Sequence, residues 1–330
     1  MESYIGKIKE YLLNSSNKFP LEFTDNLKVE FLAQGEYNKN YLIEDISGKF
    51  VFRINMASQL NLDNQIEYEY NAIKKLEKSG VTPLVYFYDN SREFFHEGVL
   101  MMNYLEGRPL DYRRDLEIAA GIFARIHQLD VKDFEDILIK ESDLCRARVR
   151  EADMWLTSYR KSNLPDKDSK MIIEKLYEYC LLNADHTDKY FNDNPWLVVN
   201  NTEVNSHNFI IGGEKSYLID WEKPVISDPV QDITQFLAPT TTLWKTDILL
   251  SDEMINSFYD KYESLVGRSI RERVKAYEPY LLLRAFSWCA GAFMTYMDES
   301  REIQNPQTFE VIKKYLEPEF LRNVLKKYIQ

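Results

Sequence analysis

Cysteine is scarce in this 330-residue chain: Cys145, Cys180 and Cys289 are the only three, far apart and with no C-x-x-C pair. That argues against a disulfide framework and against a thiolate zinc site. Histidine is equally thin, with four residues. None is spaced as a metal pair, so His127 is read as structural and no histidine is assigned to chemistry. No run of about 18 apolar residues occurs, which leaves no membrane-spanning helix to expect. The start, Met1 to Lys9, lacks the apolar core of a secretion signal, so the expected compartment is the reducing cytoplasm. Positive charge is the minority, 41 Lys and Arg against 53 Asp and Glu, a net charge of −12. This argues against nucleic acid and anionic membrane as partners. A cationic substrate is compatible with such a field, and so is a surface charged for solubility alone.

What is present suits a globular protein of one large or two medium domains, because 45% of the residues are apolar and can fill a sizeable core. Residues 4 to 12 carry apolar side chains at helical spacing and predict a packing helix that ends at Asn14 to Asn17. From Leu27 to Asn55 the pattern turns to short β-type runs at 28–32, 41–45 and 50–55, which predict antiparallel strands. Residues 64 to 79 then show a helical stripe, Ile66, Tyr70, Ile73 and Leu76, stopped by Gly80. Two further strands are expected at 81–88 and 98–104, completing a sheet of about five. After Pro109 the pattern is helical, with helices expected at 116–129, as two pieces within 141–192, from Asp228, and over Tyr277 to Tyr296.

One stretch breaks that helical run. Two apolar, β-prone segments, from Trp196 to Val199 and from Phe209 to Ile211, flank the polar loop Asn200 to Asn208. Gly212-Gly213 then supplies a hairpin turn into Ser216-Tyr217-Leu218-Ile219-Asp220-Trp221-Glu222. Asn208 offers a neutral amide oxygen, while Asp220 and Glu203 offer carboxylates. Hard oxygen donors of this kind suit Mg²⁺; any one of them alone reads more simply as a solvated loop residue, and it is their spacing that favours a site. Glu203 precedes Asn208 by five positions and Asp220 follows it by twelve.

That arrangement resembles the aminoglycoside phosphotransferase and choline kinase family, relatives of the protein kinases, whose loop reads His-x-Asp-x-x-x-x-Asn before an Ile-Asp-Trp-Glu segment. Here Asn201 stands for the His and Glu203 for the Asp that acts as catalytic base, whereas Ile219 to Glu222 and Asp228 to Asp232 keep the pattern. The resemblance implies an α+β, two-lobed protein-kinase-like fold. A small antiparallel-sheet lobe would occupy residues 1–103, and a larger, mainly helical lobe residues 104–330. It implies ATP and Mg²⁺ as cofactors, with Asn208 and Asp220 as metal ligands and Glu203 as the base. The acceptor would be a hydroxyl of a small molecule such as a choline-like amine, an aminoglycoside or a sugar.

By the same resemblance Arg53 braces the α- and β-phosphates and Glu69 is its ion-pair partner, with Glu67 as the rival. Gly35 belongs to the phosphate-covering turn, and Met102 and Tyr104 to the segment that meets the adenine. Asp232 would hold the catalytic loop. The aromatics Tyr280, Phe286, Trp288, Phe293 and Tyr296 would either enclose a quaternary ammonium or pack the core, and Asp298 and Glu299 would instead face a polyamine or an aminoglycoside. Because Glu203 departs from the family's Asp, a catalytically degenerate protein that binds nucleotide or ligand without turnover stays open as the alternative.

Overall fold

The architecture was obtained as a computed structural model, which describes residues 2–14, 20–35, 37–58, 60, 62–298 and 305–328. Five strands, β1 (Lys28–Gln34), β2 (Asn38–Asp45), β3 (Gly48–Asn55), β4 (Val85–Asp89) and β5 (Gly98–Asn103), form one sheet in the order β1-β2-β3-β5-β4. Every neighbouring pair is antiparallel. The strand expected from Val81 begins only at Val85, since Pro83 has no N–H to give to a ladder.

Side chains alternate across β3 with the period of two that a strand imposes. Phe50, Phe52 and Ile54 are buried together with Ile8, Tyr11 and Leu12 of the amphipathic helix α1 (Glu2–Asn14). Val51 and Arg53 therefore face the other way, toward α2 (Gln65–Leu76), which buries Ile66, Ala72, Ile73 and Leu76. A short 3₁₀ turn, Glu77–Ser79, follows and ends at Gly80, whose φ of +70° is the left-handed cap that a glycine adopts without strain. Of the predicted end of α1, Ser15 to Asn17 lie outside the described residues.

The rest is helical: α3 (Leu116–His127), α4 (Leu144–Lys161), α5 (Lys167–Asp193), α6 (Val230–Leu237), α7 (Pro239–Lys245), α8 (Asp252–Val266), α9 (Arg271–Tyr296), α10 (Pro306–Tyr315) and α11 (Pro318–Leu325). Helix α3 packs on α8 and α4 on α9 around one large core. At the second of these contacts, a β-carbon on Gly291 would fall 2.5 Å from the Trp155 ring. Tyr280 and Phe286 are wholly buried in this core, and Tyr296 stacks on Phe309 with ring centroids 4.9 Å apart. These rings therefore serve packing. Asp298 is described, but Glu299 lies outside the described residues.

Two short ribbons interrupt the helices. Strand β6 (Val198–Asn200) pairs with β9 (Val225–Ser227), and β7 (Phe209–Ile211) pairs with β8 (Ser216–Leu218) through the Gly212-Gly213 turn. Gly212 is required by close approach, because a β-carbon there would lie 2.5 Å from the Lys215 carbonyl oxygen. The polar segments 201–208 and 219–224 are thus each pinned at both ends, on the side of the molecule where Arg53 emerges.

Candidate active site

Asp220 lies two residues past the end of β8. The Trp221 indole, fully buried, donates to Leu218 O at 2.9 Å, and the Ile219 N–H donates to Asn208 O at 2.8 Å. These bonds turn the chain sharply and leave Asp220 at φ +64°, a left-handed position that Asp tolerates better than most residues. The Asn201 amide secures the turn by donating to Asp220 O at 3.0 Å and to Ile219 O at 3.3 Å. Across from it, the Asp232 carboxylate accepts the N–H of Asn201 (2.7 Å) and the N–H of Thr202 (2.8 Å). Thr202 is itself at φ +69°. Two strained residues held by buried polar partners mark a segment whose geometry is over-determined.

Arg53 is buried and joins three groups. Its Nη1 pairs with Glu69 Oε1 and lies 3.2 Å from Asp220 Oδ1, while its Nε donates to Asn40 Oδ1 at 3.0 Å. Of the two helix acids, Glu69 is therefore the partner, and Glu67 instead accepts from the Tyr88 hydroxyl at 3.1 Å. Burial raises the Glu69 carboxyl to about 7, with the Arg53 charge opposing the rise. Burial works against the Arg53 charge as well, yet Glu69, Asp220 and Glu222 together push its pKa up, so the guanidinium stays charged.

The carboxylates of Glu203, Asp220 and Glu222 converge, with ligand oxygens within 4.8 Å of one another. Glu222 is fixed from the sheet side. Asn38 Nδ2 donates to its Oε2 at 2.5 Å, Asn55 Nδ2 holds Asn38 Oδ1 at 2.9 Å, and Gln65 Nε2 binds the Glu222 carbonyl. Burial first, then the charges of Asp220 and Glu203, raise the Glu222 carboxyl to about 8. Burial likewise raises Asp220, against the pull of Arg53. Three hard oxygen donors short of positive charge fit a divalent cation such as Mg²⁺. Asn208 adjoins them, since its Nδ2 donates to Glu203 O at 2.6 Å, which leaves Oδ1 as the atom for a ligand. Glu203 also meets Lys223, Nζ to Oε1 at 2.5 Å. Burial lowers the Lys223 pKa, an effect that Glu203 opposes.

The remaining expected residues lie elsewhere around the sheet. Gly35 sits at the exposed β1–β2 turn with its N–H donating to Asn38 O at 2.9 Å, and a β-carbon there would meet nothing within 4 Å. Met102 is buried, its backbone in register with Val51 and Val85. Tyr104 is half-buried just past β5, and its N–H is spent on Lys49 O at 3.1 Å.

A buried cation on β3 paired to α2, set against convergent acids after β8, corresponds to the motif order of a phosphotransferase. Residues 28–277 match the model of the phosphotransferase enzyme family. The chain belongs to that family. Its members' fold is also found among solved structures. A choline kinase from Cryptosporidium parvum superposes with a TM-score of 0.62 at 15% identity, over 98% of this chain and 97% of that one. A choline/ethanolamine kinase family protein from Mesorhizobium loti gives 0.62 at 16% identity over 100% of both chains. A spectinomycin phosphotransferase solved with ADP and spectinomycin gives 0.62 at 14% identity, over 96% of each chain. At these identities the likeness establishes the protein-kinase-like fold. No curated protein matches the sequence.

Within this phosphotransferase scaffold, sequence reasoning missed the convergence of Glu222 with Glu203 and Asp220, the Lys223 contact, and Asn38 as the residue that orients Glu222. Glu222 could have been found from its place two residues after Asp220, where an unstrained strand would set both side chains on one face. Asn38 carries no such signal, being 184 residues away.

Proposed function

We propose that the protein transfers the γ-phosphate of ATP to a hydroxyl of a small molecule, in a cleft between the sheet and the segments 201–208 and 219–224. The observation that carries this reading is the placement of Arg53 between Glu69 and Asp220, with the Glu203, Asp220 and Glu222 carboxylates beside it. In this reading Glu69 holds Arg53, and Arg53 binds the α- and β-phosphates. Asp220, Asn208 and Glu222 hold Mg²⁺, which supplies neutralisation of the phosphate charge. Glu203 orients the attacking hydroxyl and takes its proton. Phosphoryl transfer gains most of its rate from such positioning and electrostatics. Gly35, Met102 and Tyr104 border the nucleotide in the same reading, Met102 by its side chain and Tyr104 without its committed N–H.

The test is Glu203→Gln, measured as ADP production with an acceptor panel and as MgATP binding. The reading expects turnover to be lost while MgATP binding survives. Undiminished turnover would sink Glu203 as the base. A second reading, nucleotide binding without turnover, is favoured by one observation, the ion pair that already engages Glu203 with Lys223. It expects MgATP to bind and no acceptor to consume it.

A further inference from the structure

Tyr41 and Ile43 of β2 are buried with the apolar face of α1. The period of two therefore turns Asn38 and Asn40 to the opposite side of the sheet, where Arg53 lies. Their partners across the ladder are Asn55 and Arg53 of β3. Asn40 offers its Oδ1 to Arg53 Nε at 3.0 Å. Asn38, 5% exposed, instead donates from Nδ2 to Glu222 Oε2 at 2.5 Å. One strand thus gives an acceptor to the buried cation and a donor to a cluster acid, both from side chains without charge.

The direction of the Asn38 amide is set two residues past β3. A carbonyl oxygen can only accept, so Asn55 must turn its Nδ2 to the Ala57 carbonyl, 2.8 Å away. The second N–H of that nitrogen goes to Asn38 Oδ1 at 2.9 Å, which leaves Asn38 Nδ2 for Glu222. The main chain of Asn38 serves the turn before it, since its carbonyl accepts the Gly35 N–H at 2.9 Å. We propose that Asn38, oriented by Asn55, is a positioning residue that aims Glu222 at the divalent cation and ties it to the β1–β2 turn, so that cation and nucleotide bind cooperatively. This rests on the phosphotransfer reading, in which Glu222 holds Mg²⁺ and Gly35 borders the nucleotide. Glu222, once held by a cation, holds the Asn38 amide, and the Asn38 carbonyl holds Gly35. Each binding event therefore prepares the other.

The experiment is calorimetric titration with ADP, in EDTA and in saturating Mg²⁺, and the readout is the factor by which Mg²⁺ raises ADP affinity. It is run on wild type, Asn38→Leu, Asn55→Asp, Glu222→Gln and the Asn38→Leu/Glu222→Gln double variant. Asn55→Asp touches neither Glu222 nor the cation, but its carboxylate has no N–H for Asn38 Oδ1 and turns the Asn38 amide around. Asn38→Leu and Asn55→Asp should each cut the Mg²⁺ factor by about tenfold, the usual loss when the support behind a metal ligand is removed. ADP affinity in EDTA should stay unchanged. In the Glu222→Gln background, Asn38→Leu should cost nothing further, because it acts through that acid. A Mg²⁺ factor indifferent to both asparagine variants, losses equal in EDTA and in Mg²⁺, or losses that add to Glu222→Gln overturn this inference and leave the phosphotransfer reading standing. Either asparagine variant decides the matter if the other fails to fold. No binding of ADP to the wild type, or binding indifferent to Mg²⁺, overturns both.

Discussion

Arg53 and Asp220, 3.2 Å apart between Nη1 and Oδ1, connect the sheet to the segment that carries the convergent acids. Glu69 shares the same guanidinium, so one cation neutralises two carboxyl groups of which Glu69 is fully buried. Replacing Arg53 by Met should destabilise the protein by ~3–5 kcal/mol, the usual cost of stripping one partner from a buried pair. Arg53→Lys should recover part of that loss, since it restores the charge but not the Nε bond to Asn40. Urea unfolding of the two variants beside wild type provides the comparison.

Asp232 accepts two backbone N–H groups of the loop that presents Glu203. Asp232→Asn puts an amide donor against one of them and leaves a buried donor unsatisfied, a loss of ~1–3 kcal/mol. If the phosphotransfer reading holds, the displaced loop should lower kcat by more than it weakens MgATP binding. A kcat and a binding constant on the same preparation are sufficient.

The acid cluster makes stability depend on pH in a stated direction. Glu222 titrates at about 8 in the folded chain and near its ordinary value of about 4.5 when unfolded, so between those values the native state binds the extra proton. Stability from this group is whole below pH 4.5 and is lost as pH rises to about 8. Without divalent metal, wild type should therefore lose stability over that window, and Glu222→Gln should lose less. Equal slopes for the two proteins in chemical unfolding between pH 5 and 8 would contradict the assignment.

Gly291→Ala tests the contact between α4 and α9. Its methyl would meet the Trp155 ring at 2.5 Å, and overpacking of this kind costs ~1–3 kcal/mol. The melting temperature should fall, and Trp155→Leu in the same background should restore much of it.

Much of this fold was legible in the sequence because it rests on local rules. The alternation in β3 and the cap at Gly80 are written within a few residues of where they act, and the β7–β8 turn follows from Gly212-Gly213. The choice between Glu67 and Glu69 was not, because both lie in one turn of α2 and the sheet opposite decides which meets Arg53. Nor was the role of α9. Its aromatics read as core more readily than as a ligand box, and burial of Tyr280 and Phe286 assigns those two to the core. Contacts such as Asn38 to Glu222, spanning 184 residues, have no periodicity to betray them.

In the phosphotransfer reading, the acids around Asp220 and the cation Arg53 form a metal-dependent nucleotide site. Calorimetric titration with ATP, once with Mg²⁺ and once with EDTA, tests it most directly. Binding is expected with Mg²⁺, to be lost in EDTA and strongly weakened by Asp220→Asn. Absence of binding in both conditions, or binding indifferent to Mg²⁺ and to Asp220, would contradict it.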